Sequence, residues 1–201
     1  MTTPSVSTFP VIPHRYRLCC GVPALAAEIE PGLQRLGWGV DERASLGLMI
    51  DAPFGYALHR LEQVDPSEWV VVTDNPCPEY WEDLWSFSPR ALLAGGYNTA
   101  HVAHALGRAA PKRFYRHTPL HDSSLTCVER RLLRSNAQGW ENKRIAQELG
   151  LNEGTVRNGL SRIFQKLGVD NRTQLALYYW GLWHPLERWP GSVGSLADAQ
   201  T

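Results

Sequence analysis

No apolar run in this 201-residue chain approaches the length of about 20 residues that a membrane-spanning helix needs. Residues 1–13 are rich in Ser, Thr and Pro and lack the apolar segment of a secretory leader, so none is expected. Cysteine is scarce. Cys19, Cys20, Cys77 and Cys127 form no C-x-x-C pair and have no histidine-rich spacing behind them, which argues against a disulfide framework and the common zinc motifs. Cys19 and Cys20 lie in an apolar stretch and read as buried thiols. No Ser/His/Asp set, phosphate loop or metal-ligand set converges. An enzyme is therefore the least supported class, with no catalytic residue, metal or cofactor expected. These absences describe a reduced, soluble, cytoplasmic protein.

Net charge is absent too, with 20 basic and 20 acidic residues. The balance shifts along the chain, however. Residues 1–122 carry 10 Lys and Arg against 13 Asp and Glu, and residues 123–201 carry 10 against 7. A split of this sign is what a nucleic-acid-binding C-terminal end produces.

What is present falls into two patterns. Up to residue 113, short apolar runs alternate with amphipathic stretches. Strands are expected at 17–21, 39–44, 46–51, 69–74 and 91–94, the clearest being the W-V-V-V-T-D run at 69–74. Helices are expected at 24–36, with Pro31 as a kink or break, and at 56–63, 79–87 and 99–109. Alternation of this kind predicts a small, mostly parallel α/β sheet. After it the strand pattern disappears. The expected organisation is a disordered lead (1–14), an α/β domain (15–113), a linker (114–123), an all-α domain (124–183) and a flexible tail (184–201), with no internal repeat.

The helical part is dense in end markers. Thr126-Cys127-Val128-Glu129 is a capping box that opens a helix to about residue 137, and Gly139 suits its end. Residues 142–149 make a short second helix with Ile145, Ala146 and Leu149 inward. Gly150 allows a left-handed turn, and Asn152 caps a third helix over 153–167. There Val156, Leu160, Ile163 and Leu167 form one packing stripe. The opposite side carries Arg157, Asn158, Ser161, Arg162 and Gln165, with Lys166 at its edge. Between Gly154 and Gly168 stand three basic residues and no acidic one. A solvated face usually mixes both signs, so this one suits an acidic groove. A fourth helix, 172–182, is apolar and aromatic, with Leu175, Leu177, Tyr178, Tyr179 and Trp180.

L-T-x-x-E at 125–129, Gly139, N-K-x-I-A at 142–146, E-L-G-L at 148–151, G-T-V-R-N at 154–158 and K-L-G-V-x-x-R-T at 166–173 resemble the LuxR-type (GerE-like) DNA-binding domain. The resemblance implies a four-helix domain whose third helix enters the major groove of double-stranded DNA and whose fourth supports a homodimer. It implies base reading by Arg157, Asn158 and Ser161, flanked by Arg162, and phosphate holding by Lys143, Thr155, Lys166 and Arg172. The chemistry suits these roles, since Arg pairs bidentately with guanine, Asn with adenine, and Lys attracts phosphate. Gly159 departs from the pattern, standing where the family usually has His. It is expected to remove a contact side chain and to weaken or retune binding, besides costing about 1 kcal/mol in mid-helix.

The N-terminal part resembles the receiver domain of NarL/FixJ-type response regulators, in element order and a few positions. Thr73 ends its strand where receivers carry Thr or Ser, and Asp51 lies near the place of the phosphorylated aspartate. The Mg²⁺-binding acids after the first strand are replaced by Cys19, Cys20 and Gly21, and thiols are poor Mg²⁺ ligands. Ala94 and Gly95 stand where the fifth strand should close on lysine. Too few residues separate the second and third strands for a helical crossover, so either a helix is deleted or the second strand is misplaced. The expectation is a truncated, flavodoxin-like pseudo-receiver that works without phosphate, through dimerisation or a protein partner such as RNA polymerase. The alternatives are phosphorylation at Asp51 or sensing of a small ligand. His101, His104 and Arg108 read as a solvated helix face. Trp69 reads as core, and Trp81 with Trp85 as packing or a partner surface.

Overall fold

The computed structural model describes residues 14–110, 113–121 and 123–183. The expected lead and tail lie outside the described residues, apart from His14. Six strands form one all-parallel sheet in the order β2-β1-β3-β4-β5-β6. They are β1 (His14–Cys20), β2 (Trp38–Val40), β3 (Gly47–Ile50), β4 (Trp69–Thr73), β5 (Ala91–Ala94) and β6 (Tyr115–His117). The helices are α1 (Pro23–Arg35), α2 (Tyr56–Leu61), α3 (Pro78–Ser86), α4 (Thr99–Ala109), α5 (Cys127–Ala137), α6 (Asn142–Leu149), α7 (Glu153–Leu167) and α8 (Arg172–Tyr179), with a 3₁₀ turn at Pro66–Glu68. No described helix is long and apolar enough to cross a membrane.

The described chain divides into two compact units. One holds residues up to Asp74 together with Phe87–Thr118, and the other holds Asn75–Ser86 together with Pro119 onward. Two expectations need correction here. Helix α3, placed by sequence with the α/β domain, groups with the C-terminal helices. The segment 114–123, expected to be a linker, contains β6, which pairs with β5 from Ala91↔Tyr115 to Leu93↔His117.

In the first unit, β3, β4 and β5 are buried along their whole lengths. That is why they read as continuous apolar runs without alternation. One sheet face packs Tyr16, Leu48, Ile50, Val70, Val72 and Leu93 with Leu33 of α1 and Val102, Ala105 and Leu106 of α4. Helix α1 continues through Pro31, where a kink or break was expected. Cys19 and Cys20 are free and, as neighbours on a strand, point to opposite faces.

The strand β2 is real but short, 38–40 where 39–44 was expected. It pairs with 14–16 of β1, while β3 pairs with 17–20 on the other side. Because the two use different halves of β1, residues 41–46 suffice to connect them. Asp41 N–H donates to the Tyr16 carbonyl and Arg17 N–H to the Leu46 carbonyl, both at 2.9 Å. No helix therefore lies between β2 and β3. The Trp69 ring lies so close over Gly47 that a Cβ there would collide with it. The Arg17 guanidinium sits 4.8 Å from the Trp69 ring centre and bonds Glu68 at 2.6 Å.

Candidate nucleic-acid interface

The second unit builds its helix ends as the sequence predicts. Thr126 Oγ1 accepts from Glu129 N–H at 3.3 Å, and Glu129 Oε2 accepts from Thr126 N–H at 2.8 Å. Gly150 and Gly168 close α6 and α7 in the left-handed region, both at φ 66°. Asn152 Oδ1 accepts from Thr155 N–H at 2.8 Å and from its hydroxyl at 3.0 Å. Helix α8 ends at Tyr179, short of the expected 182.

These ends fix the rotation of α7. Val156, Leu160, Ile163 and Leu167 are buried. Arg157, Asn158, Ser161, Arg162 and Gln165 are exposed on the other side. Ser161 Oγ donates to the Arg157 carbonyl at 3.1 Å. Lys143 is exposed in the first turn of α6 beside Arg144, which sequence reasoning passed over. The Arg144 guanidinium stacks 4.1 Å from the Trp140 ring centre. Two cations in a helix's first turn add to the positive end of its dipole, a charge that a phosphate would neutralise.

Two of the expected phosphate holders are already engaged. Lys166 Nζ donates to Glu129 Oε2 at 2.8 Å and to the Ser124 carbonyl at 3.0 Å. Arg172 Nη2 donates to the Trp140 carbonyl at 2.6 Å. Burial opposes ionisation of Glu129, but the bonds from Lys166 and Thr126 outweigh it and hold its carboxyl below the ordinary value. A carboxyl lowered in the folded state stabilises above its ordinary value and loses that contribution as pH falls through the lowered one. Glu129→Gln, which can keep the capping box but loses the ion pair with Lys166, is accordingly expected to cost the C-terminal helices about 1 kcal/mol at neutral pH. Thermal melts at pH 7 and at progressively lower pH should show the wild-type advantage shrink as the solution is acidified.

Gly159 requires a correction. It is buried, not at the contact face, and a Cβ there would lie 2.5 Å from Leu132 Cδ1 of α5. Gly159 lies where α7 faces α5, and the Leu132 side chain would have to move to admit a larger residue there.

In the first unit, Asp51 is 3% exposed. Its Oδ1 accepts from Ala57 N–H at 2.9 Å and its Oδ2 from the Thr73 hydroxyl at 2.8 Å. Asp51 therefore ties α2 and β4 to the end of β3. His101, His104 and Arg108 lie on α4, and all three are exposed, as expected of a solvated face. Among the described residues, no group of three His, Cys, Asp or Glu side chains could hold a metal ion. Trp69 and Trp81 are buried at 6% and 3% exposure, the second within its own unit.

Comparison with known proteins converges on the helical unit. Residues 123–179 match the family model described as bacterial regulatory proteins, luxR family. The DNA-binding transcriptional activator DevR/DosR of Mycobacterium tuberculosis is 46% identical over 56 residues, 28% of this chain and 26% of that protein. Against the relatives matched through this segment alone, the chain thus spans about a quarter of their length. YhjB of Escherichia coli K12, an HTH-type transcriptional regulator by name, is 30% identical over 138 residues, 63% of this chain and 69% of that protein. In fold, the chain is like RcsB from Salmonella enterica serovar Typhimurium bound to promoter rprA. The TM-score is 0.52 at 16% identity, covering 85% of this chain and all of that one.

Proposed function

The chain belongs to the luxR family of bacterial regulatory proteins, and on that premise we propose that it binds double-stranded DNA sequence-specifically and regulates transcription in the cytoplasm. The observation that carries this reading is α7, a 15-residue helix with one buried apolar stripe and one exposed face bearing Arg157, Asn158, Ser161 and Arg162. In the major groove, Arg157 pairs with guanine and Asn158 with adenine, while Ser161 and Arg162 extend the contact. Lys143 and Thr155 hold phosphates beside them, whereas Lys166 and Arg172 must exchange their bonds to Glu129 and the Trp140 carbonyl to do so. A homodimer presents two such helices to a two-fold-related site. DevR/DosR, a DNA-binding transcriptional activator 46% identical over this segment, supports the same reading by analogy.

Lys143→Ala is expected to weaken all DNA sequences alike and to lower the slope of log affinity against log salt by about 1. Gel-shift titrations at several salt concentrations measure it, and an unchanged slope would remove Lys143 from the interface.

We read the first unit as a pseudo-receiver. Both oxygens of buried Asp51 are engaged, and Cys19, Cys20, Gly21 and Ala94 supply none of the groups that phosphoryl transfer to it needs. Input then arrives through dimerisation or a protein partner, with RNA polymerase one such partner. Incubation with acetyl phosphate and Mg²⁺ is expected to leave the intact mass unchanged. A phosphoryl adduct that disappears in Asp51→Ala would establish the phosphorylation-switched reading in its place.

A further inference from the structure

Helix α3 turns its carboxylates toward the C-terminal helices. Glu79 is 2% exposed; its Oε2 accepts from the Tyr178 hydroxyl at 2.8 Å and its Oε1 from the Ser123 hydroxyl at 3.1 Å. Asp83 Oδ2 accepts from the Tyr179 hydroxyl at 2.6 Å. Glu82 pairs with Arg130 at 3.3 Å and with His121 at 3.2 Å. Just ahead of the helix, buried Asn75 donates Nδ2 to the Tyr179 carbonyl at 3.1 Å. The Tyr80 ring meets Tyr179 edge-on at 5.3 Å and Trp180 at 6.0 Å. Each of these carboxylates on α3 has a defined partner, and none of those partners belongs to α7. A buried acid without a partner is costly, so the Glu79 side of α3 is built for these particular neighbours.

We propose that α3 is a clasp on the C-terminal helices, fastening α5 and α8 to the chain between Asp74 and Phe87 and covering the tyrosine face of α8. The segment 123–179 is then not the whole structural module in this protein, because Asn75–Ser86 completes it. The clasp leaves the exposed face of α7 open while making Tyr178 and Tyr179 unavailable to any other surface. This inference stands on the contacts of α3 and does not depend on what α7 binds.

The same contacts make the clasp sensitive to acid. Asp83 faces Tyr179 of α8, Arg130 and Arg134 of α5, and Glu79 on its own helix, with the Glu82–His121 pair alongside. Burial is the largest influence and raises its carboxyl to about 6, against the Tyr179 bond and the two arginines, with Glu79 adding to the rise. Burial, and then Asp83, push Tyr179 well up, so it stays a neutral donor. A carboxyl raised in the docked state favours docking below its ordinary value and loses that contribution as pH climbs through about 6. The clasp is therefore tighter in mild acid.

Hydrogen–deuterium exchange on the full chain, corrected for intrinsic rates, tests both parts. Peptides from α3 and α8 are expected to share one protection factor, falling about tenfold between pH 5 and pH 7.5. Asp83→Asn, a neutral isostere, should flatten that fall, while exposed Asp170→Asn should leave it intact. Tyr179→Phe, which removes only a hydroxyl, should raise exchange in α3 together with α8. Exchange of α3 in step with β4 and β5, indifferent to Tyr179→Phe, would overturn the clasp. A full pH dependence retained in Asp83→Asn would overturn its acid sensitivity.

Discussion

Replacing Arg157 by Ala is expected to weaken binding to a preferred DNA site by about 5- to 150-fold, the range that one bidentate base contact of roughly 1–3 kcal/mol implies. The helix around it sets the size of the effect. Arg157 is exposed one residue after buried Val156, so its guanidinium leaves α7 on the side away from the core. The acid of α7 nearest to it is Glu153, one turn earlier, and none follows before Gly168. The substitution removes no packing, so the fold should be unaffected and the loss should appear in affinity and base preference together. Titration against the preferred site and single-base variants separates this from a phosphate contact. Arg157→Ala should flatten the preference at one position, whereas Lys143→Ala lowers every curve equally.

Trp69→Ala should be the most damaging change in the first unit, at about 3–5 kcal/mol. The indole covers β3 at the point where Gly47 pairs with Trp69 of β4. It fills the space that Gly47 leaves, carries the Arg17 guanidinium on its face and is only 6% exposed. Removing it strips the cover from β3 and β4 and leaves Arg17 bonded to Glu68 with nothing beneath it. Urea unfolding of the full chain should lose its first transition or show it at markedly lower denaturant. An unchanged midpoint would mean that the sheet does not rely on Trp69 for its cover.

The contrast between the units shows what was legible. In the C-terminal helices the determinants are local. Thr126 and Glu129, or Asn152 and Thr155, are three residues apart, and the stripe from Val156 to Leu167 repeats at helical spacing. Each could be read directly. In the sheet, β4 was clear because a buried parallel strand is continuously apolar. The strand β6 was missed because Tyr-Arg-His is too short and polar to carry a period.

The remaining errors concern partners distant in sequence. Nothing in the sequence of α3 marks partners for Glu79, Glu82 and Asp83. The acceptor roles of Glu79 and Asp83 depend on Tyr178 and Tyr179, which lie 99 and 96 residues further on. The surroundings of Gly159 are hidden for the same reason. Its position in a motif suggested a lost contact, while its neighbour Leu132 comes from another helix. Asp51 was correctly placed at a strand end, but only the fold reveals that Ala57 and Thr73 occupy its two oxygens.

The central claim is that α7 reads double-stranded DNA. Selection of bound fragments from a random duplex library, using the full chain without any phosphoryl donor, tests it most directly. The expected product is an enriched motif in two inverted half-sites, with centres about 10 base pairs or a multiple of that apart, and no enrichment by the Arg157→Ala, Asn158→Ala double variant. Recovery of no motif by the wild-type chain, or of the same motif by the double variant, would contradict it.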